Sequence, residues 1–175
     1  SPVSLSGTAY TIFAVVQRDS SRGENYFIVQ PGTGCNVGGC DANSSLHLGW
    51  RSDRTIRFSQ YYNDLDLPDM PAFSGFSGLS LIAARADPTT KYVSLDEVGL
   101  SRSAQKRDAA LLRPGGGVQI GGYYYHASRV TGQIQNRPPE FYFSGYIFEV
   151  IIYDAALSDE QMNRVKTYLK SKYRL

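Results

Sequence analysis

The fold of this chain is decided by a stretch near its end, YIFEVIIY at residues 146–153. With alternating side chains, one face of this stretch carries Phe148, Val150 and Ile152, and the other carries Ile147, Glu149 and Ile151. This alternation, with β-branched and aromatic residues along it, predicts a strong β-strand.

Similar short segments, broken by turn residues, occupy most of the chain before this strand. They lie at residues 10–16, 25–29, 46–50, 55–61, 79–84, 91–96 and 117–122. Eight or more short strands with turns between them indicate a sandwich or a barrel. The stretches 102–116 and 123–140 are less regular, and we expect each to be a surface excursion.

The segments 46–50 and 55–61 are separated by Arg51-Ser52-Asp53-Arg54, which is a hairpin signal. With regular pairing, the core face of this hairpin carries Leu46, Leu48, Trp50, Ile56 and Phe58. The opposite face carries His47, Arg51, Arg57, Ser59 and Tyr61. Planar donors beside an aromatic ring suit a sugar, which stacks on the ring and forms hydrogen bonds through its hydroxyls. A plain solvent-facing strand is the alternative.

One helix is predicted at the end of the chain. Ser158 is a good N-cap, and Gln161 completes a capping box. Acidic residues occupy its first turn and basic residues its last, as the helix dipole favours. Met162, Val165 and Leu169 form a narrow apolar stripe, which favours a solvated opposite face over a membrane-surface helix.

Size and charge exclude several classes of partner. With 175 residues, the chain fits a single domain, 1–175, and is long enough to bury a core. Its net charge of +2 is too small for a protein that tracks phosphates, so we expect no nucleic-acid partner. No apolar run reaches the length that spans a bilayer, so we expect no membrane insertion. Because the chain begins at Ser1 rather than Met, we expect further sequence upstream.

Two cysteines, Cys35 and Cys40, lie in a Gly-rich segment. A structural zinc site needs about four ligands. Besides the cysteines only His47 and His126 are available, and they lie far apart in sequence, so we expect no structural zinc site. A local disulfide between Cys35 and Cys40, formed in an oxidising compartment, is the expectation, and two free thiols in a loop are the alternative.

The sequence FSGYIFEVIIYDAALSDE at residues 143–160, continued by YLKSKY at 168–173, resembles the C-terminal signature of the laminin G-like, concanavalin A-like lectin/glucanase family. In that signature a strand runs through an Ala-Leu-Ser turn into a short closing helix. Residues 10–17 are similar to the opening strand of the family, and LHLGWR at 46–51 resembles bacterial extracellular members.

The resemblance implies an all-β fold, a jelly-roll β-sandwich of two antiparallel sheets with one short C-terminal helix. It also implies a module of a secreted or cell-surface protein, part of a larger multidomain chain, that binds glycans or proteins. Fold similarity alone does not carry activity.

Hydrolases of this fold carry carboxylates in the pattern Glu-x-Asp-x-x-Glu, because two carboxyl groups must flank the glycosidic bond. This sequence contains no such run. Asp64, Asp66 and Asp69 come closest, and Pro68 predicts that they lie in a loop rather than in a central strand. Asp64 and Asp66 could ligate calcium, the one candidate cofactor, or could be solvated turn residues.

A second candidate binding segment is Tyr123-Tyr124-Tyr125-His126. Three adjacent tyrosines cannot all point inward from a strand, so at least one ring is expected to be exposed or covered by a loop. Rings packed beneath the following loop are the alternative to a ligand contact.

We therefore expect a non-catalytic binding module whose partner is carbohydrate. Its candidate ligand-binding residues are His47, Arg51, Arg57, Tyr61, Tyr123, Tyr124 and His126. The alternatives are a protein-interaction or adhesion module that binds an extracellular protein, and a glycan hydrolase or lyase with an atypical site.

Overall fold

The computed structural model describes residues 3–19, 24–31, 41–70, 78–107, 109–122 and 142–175. Within these residues it contains ten strands and one helix. The strands are β1 (Tyr10–Arg18), β2 (Asn25–Gln30), β3 (Leu46–Ser52), β4 (Thr55–Ser59), β5 (Asp64–Leu67), β6 (Ser80–Ala86), β7 (Thr90–Glu97), β8 (Leu100–Arg107), β9 (Gln119–Ile120) and β10 (Gly145–Tyr153). The helix is α1 (Asp159–Tyr173).

The strands form two antiparallel sheets of five strands each. The order in the first sheet is β10-β1-β6-β7-β8, and the order in the second is β5-β4-β3-β2-β9. Inward-facing side chains of both sheets share one core, which includes Ile12, Ile82 and Val93 from the first sheet and Leu48, Trp50 and Phe58 from the second. Each such buried side chain contributes about 1.5–3 kcal/mol, so burial between the layers holds them together. The predicted all-β sandwich is confirmed.

The helix begins and packs as the sequence predicts. The Ser158 side chain accepts a hydrogen bond from the Gln161 backbone N at 3.2 Å, and the Gln161 side chain accepts one from the Ser158 backbone N at 2.8 Å. Met162 and Leu169 are buried against the outer face of the first sheet, where they join a second apolar cluster around Phe13. Among the described residues, no helix has the length and apolar character that a membrane crossing needs.

A buried carboxylate also ties α1 to the first sheet. Asp96 of β7 is 2% exposed, and its oxygens lie 2.7 Å from Nζ of Lys170 and 3.2 Å from Nζ of Lys166. Burial acts to raise the pKa of Asp96, but the hydrogen bonds from Lys170 and Ser101 outweigh it and lower that pKa. The helix therefore covers the outer face of the first sheet and not that of the second.

The alternation of side chains predicted along β10 is interrupted at one point. Ile147 and Glu149 lie opposite consecutive residues of β1, so Phe148 is the extra residue of a β-bulge. Ile147 packs against the core between the sheets, whereas Phe148 is 48% exposed. The bulge moves these two residues to the faces opposite those predicted, because one extra residue shifts the alternation by one.

Two stretches predicted as loops contain strands. β8 occupies the first part of residues 102–116 and pairs with β7 over its whole length. β5 contains Asp64 and Asp66 and pairs with β4, and Pro68 follows directly after its end. Both strands are sheet edges, where short or charged sequences are tolerated because one side has no partner strand. Cys35 and Cys40 lie outside the described residues, and their disulfide stays a prediction.

Candidate functional site

The hairpin of β3 and β4 lies at the centre of the second sheet, and strand pairing aligns its outward-facing residues with those of the neighbouring strands. One row consists of Asp66, Arg57, Gly49 and Tyr26, and the adjacent row of Asp64, Ser59, His47 and Val29. The core face predicted from the sequence is confirmed, since Leu46, Leu48, Trp50, Ile56 and Phe58 are all buried. The opposite face is open only in part, because Tyr26, Val29 and Ser59 are buried there as well, and Tyr61 lies beyond the end of β4.

Arg57 is the centre of a charged cluster on this face. Its Nε and Nη2 donate to the two carboxylate oxygens of Asp66 at 2.7 and 2.9 Å, and its Nη1 lies 3.0 Å from Oδ2 of Asp64. The hydrogen bond to Asp66 raises the pKa of Arg57, and the same bond lowers the pKa of Asp66. Each nitrogen of this guanidinium therefore has a carboxylate oxygen as its partner.

Two further groups complete the Arg57 cluster, which we define as Arg51, Arg57, Ser59, Asp64 and Asp66. Arg51 donates from Nη1 to Oδ2 of Asp66 at 3.3 Å, and the Ser59 hydroxyl donates to Oδ1 of Asp64 at 2.5 Å. The side chains of Asp64 and Asp66 are 30% and 32% exposed, and that of Arg51 is 52% exposed. A carboxylate has about four acceptor positions, so both can accept further hydrogen bonds.

His47 and Tyr26 form an aromatic pair beside the cluster. Their ring centroids are 5.3 Å apart at an interplanar angle of 45°. Burial lowers the pKa of His47 to about 4 and raises the pKa of Tyr26 to about 12. At neutral pH both rings are therefore uncharged, and His47 adds no positive charge to this face.

Gly49 allows β2 and β3 to approach closely at the centre of this face. A Cβ at this position would lie 2.5 Å from the backbone O of Asn25 and 2.6 Å from Cα of Tyr26. Real Cβ atoms essentially never make backbone contacts this short. A side chain at position 49 would therefore force the two strands apart.

The connection from β4 to β5 presents two tyrosines. Tyr61 and Tyr62 both have positive φ, 30° and 60°, and we call residues 60–63 the tyrosine turn. Their rings meet edge to face, with centroids 4.5 Å apart, and Tyr62 is 75% exposed. The left-handed conformation costs a non-glycine residue about 1–2 kcal/mol, and Asn and Gly usually occupy such turns. Strain of this kind concentrates at functional sites.

Hydrogen bonds hold the tyrosine turn from several sides. The backbone N of Asn43 donates to the carbonyl oxygens of both Gln60 and Tyr61 at 2.9 Å. The side chain of Asn63 donates to Asn43 Oδ1 at 2.9 Å and accepts from Lys106 at 2.8 Å. The strained conformation is therefore imposed by surrounding contacts and not by the turn itself.

The structure brings His47, Arg51 and Arg57 together on one face, and Tyr61 lies in the turn that joins β4 to β5. Tyr123, Tyr124 and His126 lie outside the described residues. Tyr26 and Tyr62 were missed by the sequence reasoning. Two adjacent tyrosines between segments 55–59 and 64–67 are the signal that could have indicated Tyr62. Tyr26 reaches this face only through the pairing of β2 with β3.

The carboxylates considered as calcium ligands have a cationic partner in this structure. Asp64 and Asp66 both contact Arg57, and among the described residues no group of three or more His, Cys, Asp or Glu side chains could hold a metal ion. The calcium site stays a prediction.

Two stacked antiparallel sheets with a C-terminal helix on one outer face define a β-sandwich. The chain is similar in structure to the CBM40 module, a carbohydrate-binding module, of the Ruminococcus gnavus IT-sialidase, in forms bound to α2,3- and to α2,6-sialyllactose. The TM-score is 0.63 with 16% sequence identity, over 90% of this chain and 82% of that one.

A second similar structure is the enzymatically active domain of tailspike protein 2 from bacteriophage CBA120. Its TM-score is 0.53 with 19% identity, over 91% of this chain and 24% of that one. Neither protein-family models nor curated proteins match the sequence. At these identities the likeness establishes the fold and not the function.

Proposed function

We propose that this chain is a non-catalytic carbohydrate-binding module that binds its glycan on the outer face of the second sheet. The observation that carries the proposal is the tyrosine turn at the end of the hairpin that bears the Arg57 cluster. An exposed ring stacks on the apolar face of a sugar, and a few convergent polar groups fix its hydroxyls.

The roles of the residues follow from their contacts. Tyr62 is the stacking ring, because 75% of it is exposed. Asp64 and Asp66 accept hydrogen bonds from sugar hydroxyls, and the guanidinium of Arg51, whose Nη1 lies 3.3 Å from Asp66, donates them. Arg57 holds the two carboxylates in place. Tyr123, Tyr124 and His126 remain candidate ligand contacts.

The proposal assigns no catalytic step to this face. Hydrolysis of a glycosidic bond requires a carboxylic acid with a raised pKa that protonates the leaving oxygen. The hydrogen bond from Arg57 lowers the pKa of Asp66 instead. We expect no release of reducing ends from glycans that the protein binds, and sustained release would identify a hydrolase or lyase.

We also propose that residues 1–175 form one domain of the laminin G-like type within a secreted or cell-surface protein of several domains. The sandwich with its closing helix supports this assignment, as does the pair of cysteines, which suits an oxidising compartment.

A glycan array tests the carbohydrate proposal. Wild-type protein should bind a limited set of glycans, and Tyr62→Ala should weaken that binding about tenfold or more, since stacking contributes about 1–3 kcal/mol by analogy with base stacking on aromatic rings. The matched control is Tyr168→Ala, which removes another exposed tyrosine, on α1 at the opposite side of the sandwich. An array with no binding, or an equal loss in both variants, would contradict the proposal.

A protein-interaction module is the second candidate, and one observation favours it. Tyr146 and Phe148 are 56% and 48% exposed, and Phe148 and Tyr173 have ring centroids 6.3 Å apart. Exposed aromatic groups are enriched at protein interfaces. Adhesion to a cell surface that persists after periodate oxidation of its glycans, and that Phe148→Ser abolishes, would favour this function.

A further inference from the structure

Resting on the proposed function, we infer that the glycan bound at the Arg57 cluster is a neutral saccharide and not an acidic one. The inference stands on the pairing of charges in the cluster. A preference for neutral saccharides would distinguish this chain from the structurally similar module that was solved with sialyllactose, because sialyllactose carries a carboxylate.

The cationic groups of the cluster are already matched by anions. Arg57 contacts a carboxylate oxygen with all three of its nitrogens, and its side chain is 18% exposed. Arg51 contacts Asp66 as well. Two guanidinium groups face two carboxylates, so the cluster has no net charge. A bidentate salt bridge is the geometry by which arginine would hold a sugar carboxylate, and here Asp66 occupies that geometry.

The neighbouring residues of β2 and β3 add no positive charge to the cluster, and Lys106, at the tyrosine turn, donates to Oδ1 of Asn63 at 2.8 Å. His47 is neutral at neutral pH, because burial lowers its pKa to about 4. The backbone N of Glu24 donates to the carbonyl O of Arg51 at 3.0 Å, which places a further acidic residue next to the cluster. At the Arg57 cluster a sugar carboxylate would therefore meet Asp64 and Asp66, while both guanidinium groups of the cluster already contact carboxylates, and like charges brought together oppose binding.

A neutral sugar suits the same groups. Its hydroxyls can donate to the remaining acceptor positions of Asp64 and Asp66 and accept from the N–H groups of Arg51 that Asp66 leaves free. Such bonds, with one charged partner, are stronger than neutral ones. Because no ion pair forms with the ligand, this binding should change little with ionic strength.

The test is an array of matched pairs, in which each neutral glycan stands beside its sialylated, sulfated or uronic-acid counterpart, followed by titration of the best pair. We expect the neutral member to bind about tenfold tighter or more, with an affinity that is nearly constant between low and physiological salt. Tighter binding of the acidic member, or equal binding within the pairs, would overturn the inference and leave carbohydrate binding intact. If no glycan binds, both proposals fail.

Two variants separate the charge pairing from other causes. Asp66→Asn removes the bidentate partner of Arg57, and its affinity for the acidic member should rise relative to the wild type. Asp69→Asn makes the same change of charge at an exposed position that has no contact with Arg57, and it should leave the ratio of affinities unchanged. If both variants change the ratio of neutral to acidic glycan affinity equally, the pairing of Arg57 with Asp66 does not cause the preference for the neutral glycan. Thermal unfolding confirms that each variant is folded.

Discussion

The ammonium group of Lys91 lies 2.6 Å from the backbone carbonyl O of Asn63. Lys91 belongs to β7 in the first sheet, and its side chain is fully buried in the space between the sheets. It also contacts the carbonyl O of Phe58 at 3.3 Å and lies 4.4 Å from the centroid of the Phe58 ring. This side chain therefore connects one layer of the sandwich to the tyrosine turn on the other.

The burial of Lys91 should make stability depend on pH. Burial lowers its pKa from 10.5 to about 7, so between these values the folded chain binds fewer protons than the unfolded chain. Its contribution to the free energy of unfolding should therefore rise with pH, by at most about 1.4 kcal/mol per unit. Urea denaturation from pH 7 to 10 should show this rise in the wild type relative to Lys91→Met. Parallel curves for the two proteins would contradict it.

Tyr62→Asn should change stability and glycan binding in opposite directions. Asn adopts the left-handed conformation more readily than Tyr, so Tyr62→Asn should raise the free energy of unfolding by about 0.5–1 kcal/mol. The same change removes the exposed ring and should weaken glycan binding. Tyr62→Phe keeps both the ring and the strain, and it should differ little from the wild type in stability. Loss of stability in Tyr62→Asn would show that the turn is not strained.

His47 should destabilise the fold in acid. Its pKa is lowered by burial from 6.5 to about 4, so the unfolded chain binds more protons in that range and stability falls as the pH decreases through it. His47→Gln should flatten this fall by up to about 1.4 kcal/mol per pH unit. The control is His126→Gln, which removes the other histidine. Unfolding free energies between pH 4 and 7 measure the effect, and equal slopes for the two variants would contradict it.

Gly49→Ala should disturb the centre of the candidate site. The new Cβ would lie 2.5 Å from a backbone oxygen, which cannot move without its strand. We expect a loss of about 1–3 kcal/mol in the free energy of unfolding, typical of overpacking. Gly78→Ala is the matched control, because its Cβ would meet nothing within 4 Å. A denaturant midpoint that Gly49→Ala leaves unchanged would mean that β2 and β3 can separate freely.

The sequence by itself determined most of the strands, the helix and the core face of the β3–β4 hairpin. Alternation along residues 46–50 and 55–59 predicted that Trp50 is buried and that His47 and Arg57 face outward, because side-chain direction follows directly from chain position in a strand. The capping box of Ser158 and Gln161 predicted the start of α1 for a similar reason, since both partners lie within one helical turn.

Only the tertiary structure decided how these elements combine. The bulge at Phe148 depends on the pairing of β10 with β1, and the strands β5 and β8 form because a neighbouring strand completes their hydrogen bonds. The partners of Arg57 lie seven and nine residues away in sequence but on the adjacent strand in space, with Asp66 directly opposite and Asp64 diagonal to it. Charge balance and backbone strain arise from such contacts between elements, and local periodicity carries no information about them.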